Sequence, residues 1–177
     1  YLDLYLIHWP NQAIDLKETL RAFAELRQAG QIRSFGVSNF TVQHLIEALA
    51  LAAELNLKLT VNQVEFHPGL FQPALLDYCR QNNIIITAYS PLGQGGILDN
   101  PLIVQLAGKY QKTPAQICLG WLAQKGLAVI PKALTKTHLR ANLEIFDFKL
   151  ETTDAQIIDD LGHNQRLVEP KFFAQLV

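Results

Sequence analysis

Short apolar runs alternate with stretches of helical periodicity from one end of the chain to the other, and this alternation leaves few folds open. Residues 2–7, 32–37, 59–66, 84–89 and 127–130 each read as strands. The connections between them are long enough for crossovers, which parallel strands require. Near-continuous apolar strands suit a sheet covered by helices. Two architectures meet these conditions, an open doubly wound sheet and a (β/α)8 barrel. In both, the ligand site lies at the C-terminal ends of the strands.

The helical segments carry start and stop signals. Asp15 caps a helix running to about residue 29, with Leu16, Leu20, Phe23 and Leu26 on one face and Gly30 as the stop. Thr41 caps a second, with Val42, Leu45, Ile46, Leu49 and Ala53 at helical spacing. A short helix lies around Leu75, Leu76 and Cys79. Two more carry Leu102, Ile103, Leu106 and Tyr110, then Ile117, Cys118, Trp121 and Leu122 behind Thr113-Pro114. Thr137 is the expected cap of a helix with Leu139, Leu143 and Phe146, and Ile157, Ile158 and Leu161 mark the last. The tail from Gly162 shows no period.

Composition removes several classes of function. The 177 residues suffice for one domain with a sizeable core. Acids (16) and bases (15) nearly balance, and no basic stripe points to nucleic acid. No apolar run has the length of a membrane span. Cys79 and Cys118 lie far apart inside helical patterns and read as buried, reduced thiols. Without a CxxC, HExxH or clustered His/Cys pattern, no metal is expected. The chain has no methionine and opens directly on a strand, so it reads as the later part of a longer product.

The first strand reads as buried, with Leu2, Leu4, Leu6 and His8 on one face and Pro10 stopping it. His8 either faces a pocket or is a core histidine bonded to a backbone carbonyl, and this segment alone does not decide. Ser38, Asn39, Gln63, Glu65, Tyr89, Ser90 and Lys132 share the strand ends with it. Ser38, Asn39 and Gln63 offer donors and acceptors suited to a carboxamide. Tyr89 offers a ring able to stack on a heteroaromatic plane. The glycines of residues 93–96 allow close approach of an anion to the backbone, although the loop lacks the third glycine of a Rossmann fingerprint. Lys132 is either a phosphate ligand or a surface lysine. A carboxamide reader, a stacking ring and a phosphate site together describe a nicotinamide dinucleotide pocket.

The motifs that hold these residues resemble those of the aldo-keto reductases. They are Leu4-Tyr5-Leu6-Ile7-His8-Trp9-Pro10, Gly36-Val37-Ser38-Asn39-Phe40, Val61-Asn62-Gln63-Val64-Glu65 with His67-Pro68, Ala88-Tyr89-Ser90-Pro91-Leu92-Gly93, Ile130-Pro131-Lys132 and Phe146-Asp147-Phe148. They occur in family order across nearly the whole chain. The short loop after His8 and the tail Asn164-Gln165-Arg166-Leu167-Val168 are most similar to the small bacterial 2,5-diketo-gluconate reductase type.

The resemblance implies a TIM (β/α)8 barrel of which residues 1–177, as a single domain, supply about five β/α units from the fourth strand onward, a partial barrel. It implies a cytoplasmic enzyme that reduces aldehydes and ketones with NADP(H), with NAD(H) as the alternative cofactor and the N-terminal half of the barrel as the missing partner. Carried over by motif, His8 is the catalytic histidine and Trp9 contacts substrate. Ser38, Asn39 and Gln63 hold the carboxamide, and Tyr89 stacks on the nicotinamide. Ser90 and Leu92 line the pyrophosphate path, and Lys132, His138 and Asn142 meet the adenosine end. The stretch from Ile97-Leu98 corresponds to the family's extra helix.

Two departures qualify this. No motif here matches the family's catalytic Asp, Tyr and Lys, which sit on its first three strand ends, so the chain alone is expected to be inactive. Many NADPH-dependent members have arginine where this chain has His138 and serine where it has Ala133. The rival reading is a truncated, non-catalytic remnant that binds cofactor or oligomerises.

Overall fold

The computed structural model describes residues 1–162 and 164–169. Five strands, β1 (Leu2–Ile7), β2 (Ile32–Ser38), β3 (Leu59–Glu65), β4 (Ile85–Tyr89) and β5 (Ala128–Val129), form one sheet in chain order. The defined registers, β1 with β2 and β2 with β3, are parallel. A strand order that follows the chain without reversal has no switch point, which sets this sheet apart from a doubly wound one. Helices α1 (Leu16–Gln28), α2 (Val42–Glu54), α3 (Pro73–Gln81), α4 (Pro101–Tyr110), α5 (Pro114–Gln124), α6 (Lys136–Leu143) and α7 (Thr152–Asp159) complete the order. No helix among the described residues is long and apolar enough to cross a membrane.

The chain divides into two compact units, residues 1–64 with 73–87, and residues 65–72 with the chain from 88 onward. In the first unit, Asp15 caps α1 by accepting from Lys17 N at 2.9 Å, and the chain leaves that helix through Gly30 at φ +69°. Leu20 and Phe23 of α1 are buried, and Phe23 meets Phe35 edge-on at 5.8 Å. A capping box between Thr41 and His44 starts α2, which buries Leu45, Ala48 and Ala52. The buried stripe of α2 therefore runs through its alanines, while Ile46 is 46% exposed.

Gly36 has a geometric reason to be glycine. A Cβ there would lie 2.6 Å from the Val61 carbonyl oxygen and 2.8 Å from Leu6. Between Phe35 and Val37 the β2–β3 register shifts by one residue, and Thr60 Oγ1 donates to the Phe35 carbonyl at 2.8 Å.

The expectation of a buried first strand is not met. Leu2 is 53% exposed, Leu4 39% and Tyr5 42%. The sheet order explains it, because β1 stands at one end and, among the described residues, pairs only with β2. Tyr5 still stacks on Phe23 at 5.0 Å, but both faces of β1 are exposed over residues 2–5.

In the second unit, Asn100 caps α4 and a capping box between Thr113 and Gln116 starts α5. The α5 segment buries Ile117 to Leu122 without a break. Cys118 there, like Cys79 of α3 in the first unit, is a buried free thiol, and burial pushes the Cys118 pKa up to about 12. The stretch from Ile97 is turn up to the Asn100 cap. The cap of α6 is Thr135 and not Thr137: Thr135 Oγ1 accepts from His138 N at 3.2 Å, the third amide of the helix. Phe146 falls beyond that helix and is 77% exposed. The expected strand over 127–130 shrinks to two paired residues.

Candidate active site

Four expected site residues converge in the first unit, at the C-terminal ends of β1, β2 and β3. The register pairs Ser38 with Gln63. The Gln63 carbonyl accepts from Ser38 Oγ at 2.7 Å and from Asn39 N at 2.9 Å. Asn39 Nδ2 donates to the His8 carbonyl at 3.0 Å and to Ser38 Oγ at 3.1 Å. Asn39 thus ties the end of β2 to the end of β1, and it does so at φ +63°, a left-handed backbone that asparagine tolerates. Ser38 is buried, Asn39 and Gln63 are half-buried, and His8 is exposed. His8 and Trp9, whose rings lie 6.3 Å apart, line a cavity of about 500 Å³ with Asn11, Asp15, Phe40 and His44.

The second unit carries the remainder. Ser90, at φ +48°, turns the chain out of β4 into the 3-10 turn Gly93–Gly95. Ser90, Leu92 and Lys132 line one cavity of about 460 Å³ with Gln94, Gly95 and Pro131. The loop glycines and Lys132, separate in sequence, are therefore brought together. His138 and Asn142 stand one turn apart on α6 and do not line that cavity.

Tyr89 is half-buried, and burial, followed by the Glu65 charge, raises its phenol to about 12. Phe66 N donates to the Tyr89 carbonyl at 3.3 Å.

Glu65 and His67 form a buried pair for which sequence reasoning assigned no role. Glu65 is fully buried and His67 is 2% exposed. His67 Nε2 lies 3.1 Å from Glu65 Oε1. The same carboxylate accepts from Leu167 N at 2.8 Å and Val168 N at 3.1 Å. A carboxylate only accepts, so His67 donates through Nε2–H, and in the neutral ring Nδ1 is left bare. That Nδ1 is buried and has no partner among the described residues. Burial holds the His67 pKa below the ordinary 6.5, against the hydrogen bond and charge of Glu65 and aided by the charge of Arg166. The signal in sequence was a Glu and a His two positions apart at the end of the third strand.

A pH dependence of stability follows. Below 6.5 the unfolded chain takes up a proton at this histidine before the folded chain does. This share of the stability is present in full above 6.5 and is lost as pH falls through the folded value. The thermal midpoint is expected to drop as pH is lowered past 6.5, and His67→Gln to flatten that limb. A limb equally steep in the variant would assign the effect to other groups.

The aldo/keto reductase family profile matches residues 1–163. Glyoxal reductase of Bacillus subtilis is 46% identical over 167 residues, covering 94% of this chain and 59% of the relative. A solved structure described as a 2,5-diketo-D-gluconic acid reductase B superposes with a TM-score of 0.90 at 34% identity, over 96% of this chain and 60% of that one. The Gox0644 D53A mutant, solved in complex with NADPH, gives 0.87 at 38% identity, over 95% and 62%. The chain thus spans about 60% of the length of these relatives, and its five-stranded α/β sheet matches the corresponding part of the family's barrel. The chain belongs to the aldo/keto reductase family.

Proposed function

We propose that residues 1–177 as a whole supply the cofactor side and one catalytic group of an NADPH-dependent carbonyl reductase. The observation that carries this reading is the convergence of Ser38, Asn39 and Gln63 next to His8 at adjacent strand ends. Ser38, Asn39 and Gln63 read the nicotinamide carboxamide. Tyr89 stacks on the nicotinamide ring, and Ser90 and Leu92 follow the pyrophosphate. Lys132 meets a phosphate at the adenosine end, with His138 and Asn142 beyond it. The NADPH held by the Gox0644 mutant supports that cofactor for this chain by likeness.

The bound dinucleotide would supply the hydride. The chain's own residues act on the two reactants: His8 orients the substrate carbonyl, Trp9 gives the substrate an apolar wall, and Tyr89 holds the nicotinamide ring. The proton for the carbonyl oxygen comes from a general acid. The Tyr89 phenol, raised to about 12 and assigned to stacking, is not that acid.

Tyr89→Ala tests the cofactor side. In the whole protein it is expected to weaken NADPH binding by ~0.5–1.5 kcal/mol beyond the lost area. Fluorescence titration of NADPH measures it, and unchanged affinity with an intact fold would remove the stacking role.

A further inference from the structure

A buried carboxylate is costly unless hydrogen bonds offset its lost hydration. Glu65 has three donors, and two of them are backbone amides 102 and 103 residues away in sequence. An apolar side chain at the end of β3 would pack at less cost, but it would have nothing to offer those amides. The carboxylate is thus matched to the tail rather than to the core around it.

We propose that Glu65 is a positioning residue whose buried carboxylate clasps the tail segment 164–169 through the Leu167 and Val168 N–H groups and fixes it against the turn that follows β3. Three further contacts within the same unit support the clasp. Gln165 N donates to the Gly69 carbonyl at 3.0 Å. A Cβ on Gly69 would lie 3.2 Å from Gln165 Oε1, so the tail lies flush on that turn. The turn itself is closed by Leu70 N donating to the His67 carbonyl at 2.8 Å. His67 has one role in the clasp: its Nε2–H donates to Oε1, the oxygen that also accepts from Leu167 N.

Arg166 immediately precedes the clasped Leu167, and its charge lowers the pKa of both His67 and the Tyr89 phenol. Phe66, the residue after Glu65, donates its N–H to the Tyr89 carbonyl at 3.3 Å, so the clasp adjoins the strand end that holds the stacking ring, and release of the tail loosens it. This last step rests on the dinucleotide reading above; the clasp does not.

Hydrogen exchange of the tail amides in the whole protein, without cofactor, tests the clasp. Glu65→Gln keeps one acceptor but turns an N–H toward an N–H. Leu167→Pro and Val168→Pro each delete one donor and leave the carboxylate untouched, which covers the case of Glu65→Gln failing to fold. Each folded variant is expected to speed exchange across 164–169 about tenfold or more, with α2 and α5 peptides unchanged. Tail exchange that stays slow in the proline variants overturns the clasp. Where wild-type protein binds NADPH, the variants are also expected to release it faster. A freed tail with unchanged NADPH release overturns the positioning role. Wild-type protein that fails to bind NADPH counts against the dinucleotide reading, and the clasp is then decided by exchange alone.

Discussion

Residues 1–177 expressed alone are expected to self-associate or precipitate, and to show no NADPH-dependent reduction of a reactive aldehyde. The physical reason is β1. Among the described residues it ends the sheet and pairs only with β2, and its apolar side chains Leu2 and Leu4 are 53% and 39% exposed. A strand with unpaired backbone groups and an apolar face is a template for a further strand. A barrel of this type closes on eight strands, and five cannot close it. The expected lack of activity has a separate reason: by the resemblance to the family, none of Tyr1, Tyr5, Tyr78, Tyr89 or Tyr110 matches the motif of the catalytic tyrosine. Light scattering behind a sizing column gives the mass, and NADPH absorbance gives the turnover. A monodisperse monomer that reduces the aldehyde would overturn both arguments.

His8→Ala in the whole protein is expected to lower turnover by ~10²–10⁴-fold with little change in NADPH affinity. The split follows from the geometry. Asn39 Nδ2 bonds the His8 backbone carbonyl, at 3.0 Å, so the end of β1 stays tied to β2 whatever side chain residue 8 carries. The imidazole is exposed beside Trp9 and is not among the groups assigned to the dinucleotide. Its loss should reach the carbonyl step alone. Steady-state kinetics combined with NADPH titration separates the two effects. Near-normal turnover would return His8 to a packing role.

What was legible in the sequence depended on local chemistry. The polar residues at the ends of β2 and β3 stood out because each followed an apolar run, and the register pairs Ser38 with Gln63 as a strand-end site needs. Asp15, Thr41 and Thr113 cap helices as their positions suggest, because a cap acts within three residues. The α6 cap was misplaced because Thr135 and Thr137 both precede the periodic residues, and only the bond to the His138 amide separates them. Exposure of β1 was not legible, since an apolar run records what a strand can bury and its neighbours decide whether it does. Likewise β5 keeps only two paired residues of the expected four. The Glu65 contacts were beyond reach for another reason: hydrogen bonds to backbone amides leave no trace in the side chains of the donors.

The distance spanned by those contacts bears on the order in which the chain matures. Synthesis makes residue 65 early and its partners 102 and 103 positions later. Until those amides exist, water must solvate the carboxylate, because sealing it dry with a single histidine would leave most of its acceptor capacity unmet. The neighbourhood of Glu65 therefore stays hydrated while the helices between form, and dries only when the tail arrives. Closing a loop of that size is an entropic cost borne late. A chain cut short before Leu167 would reach the end of assembly with a wet, charged hole beneath the turn after β3.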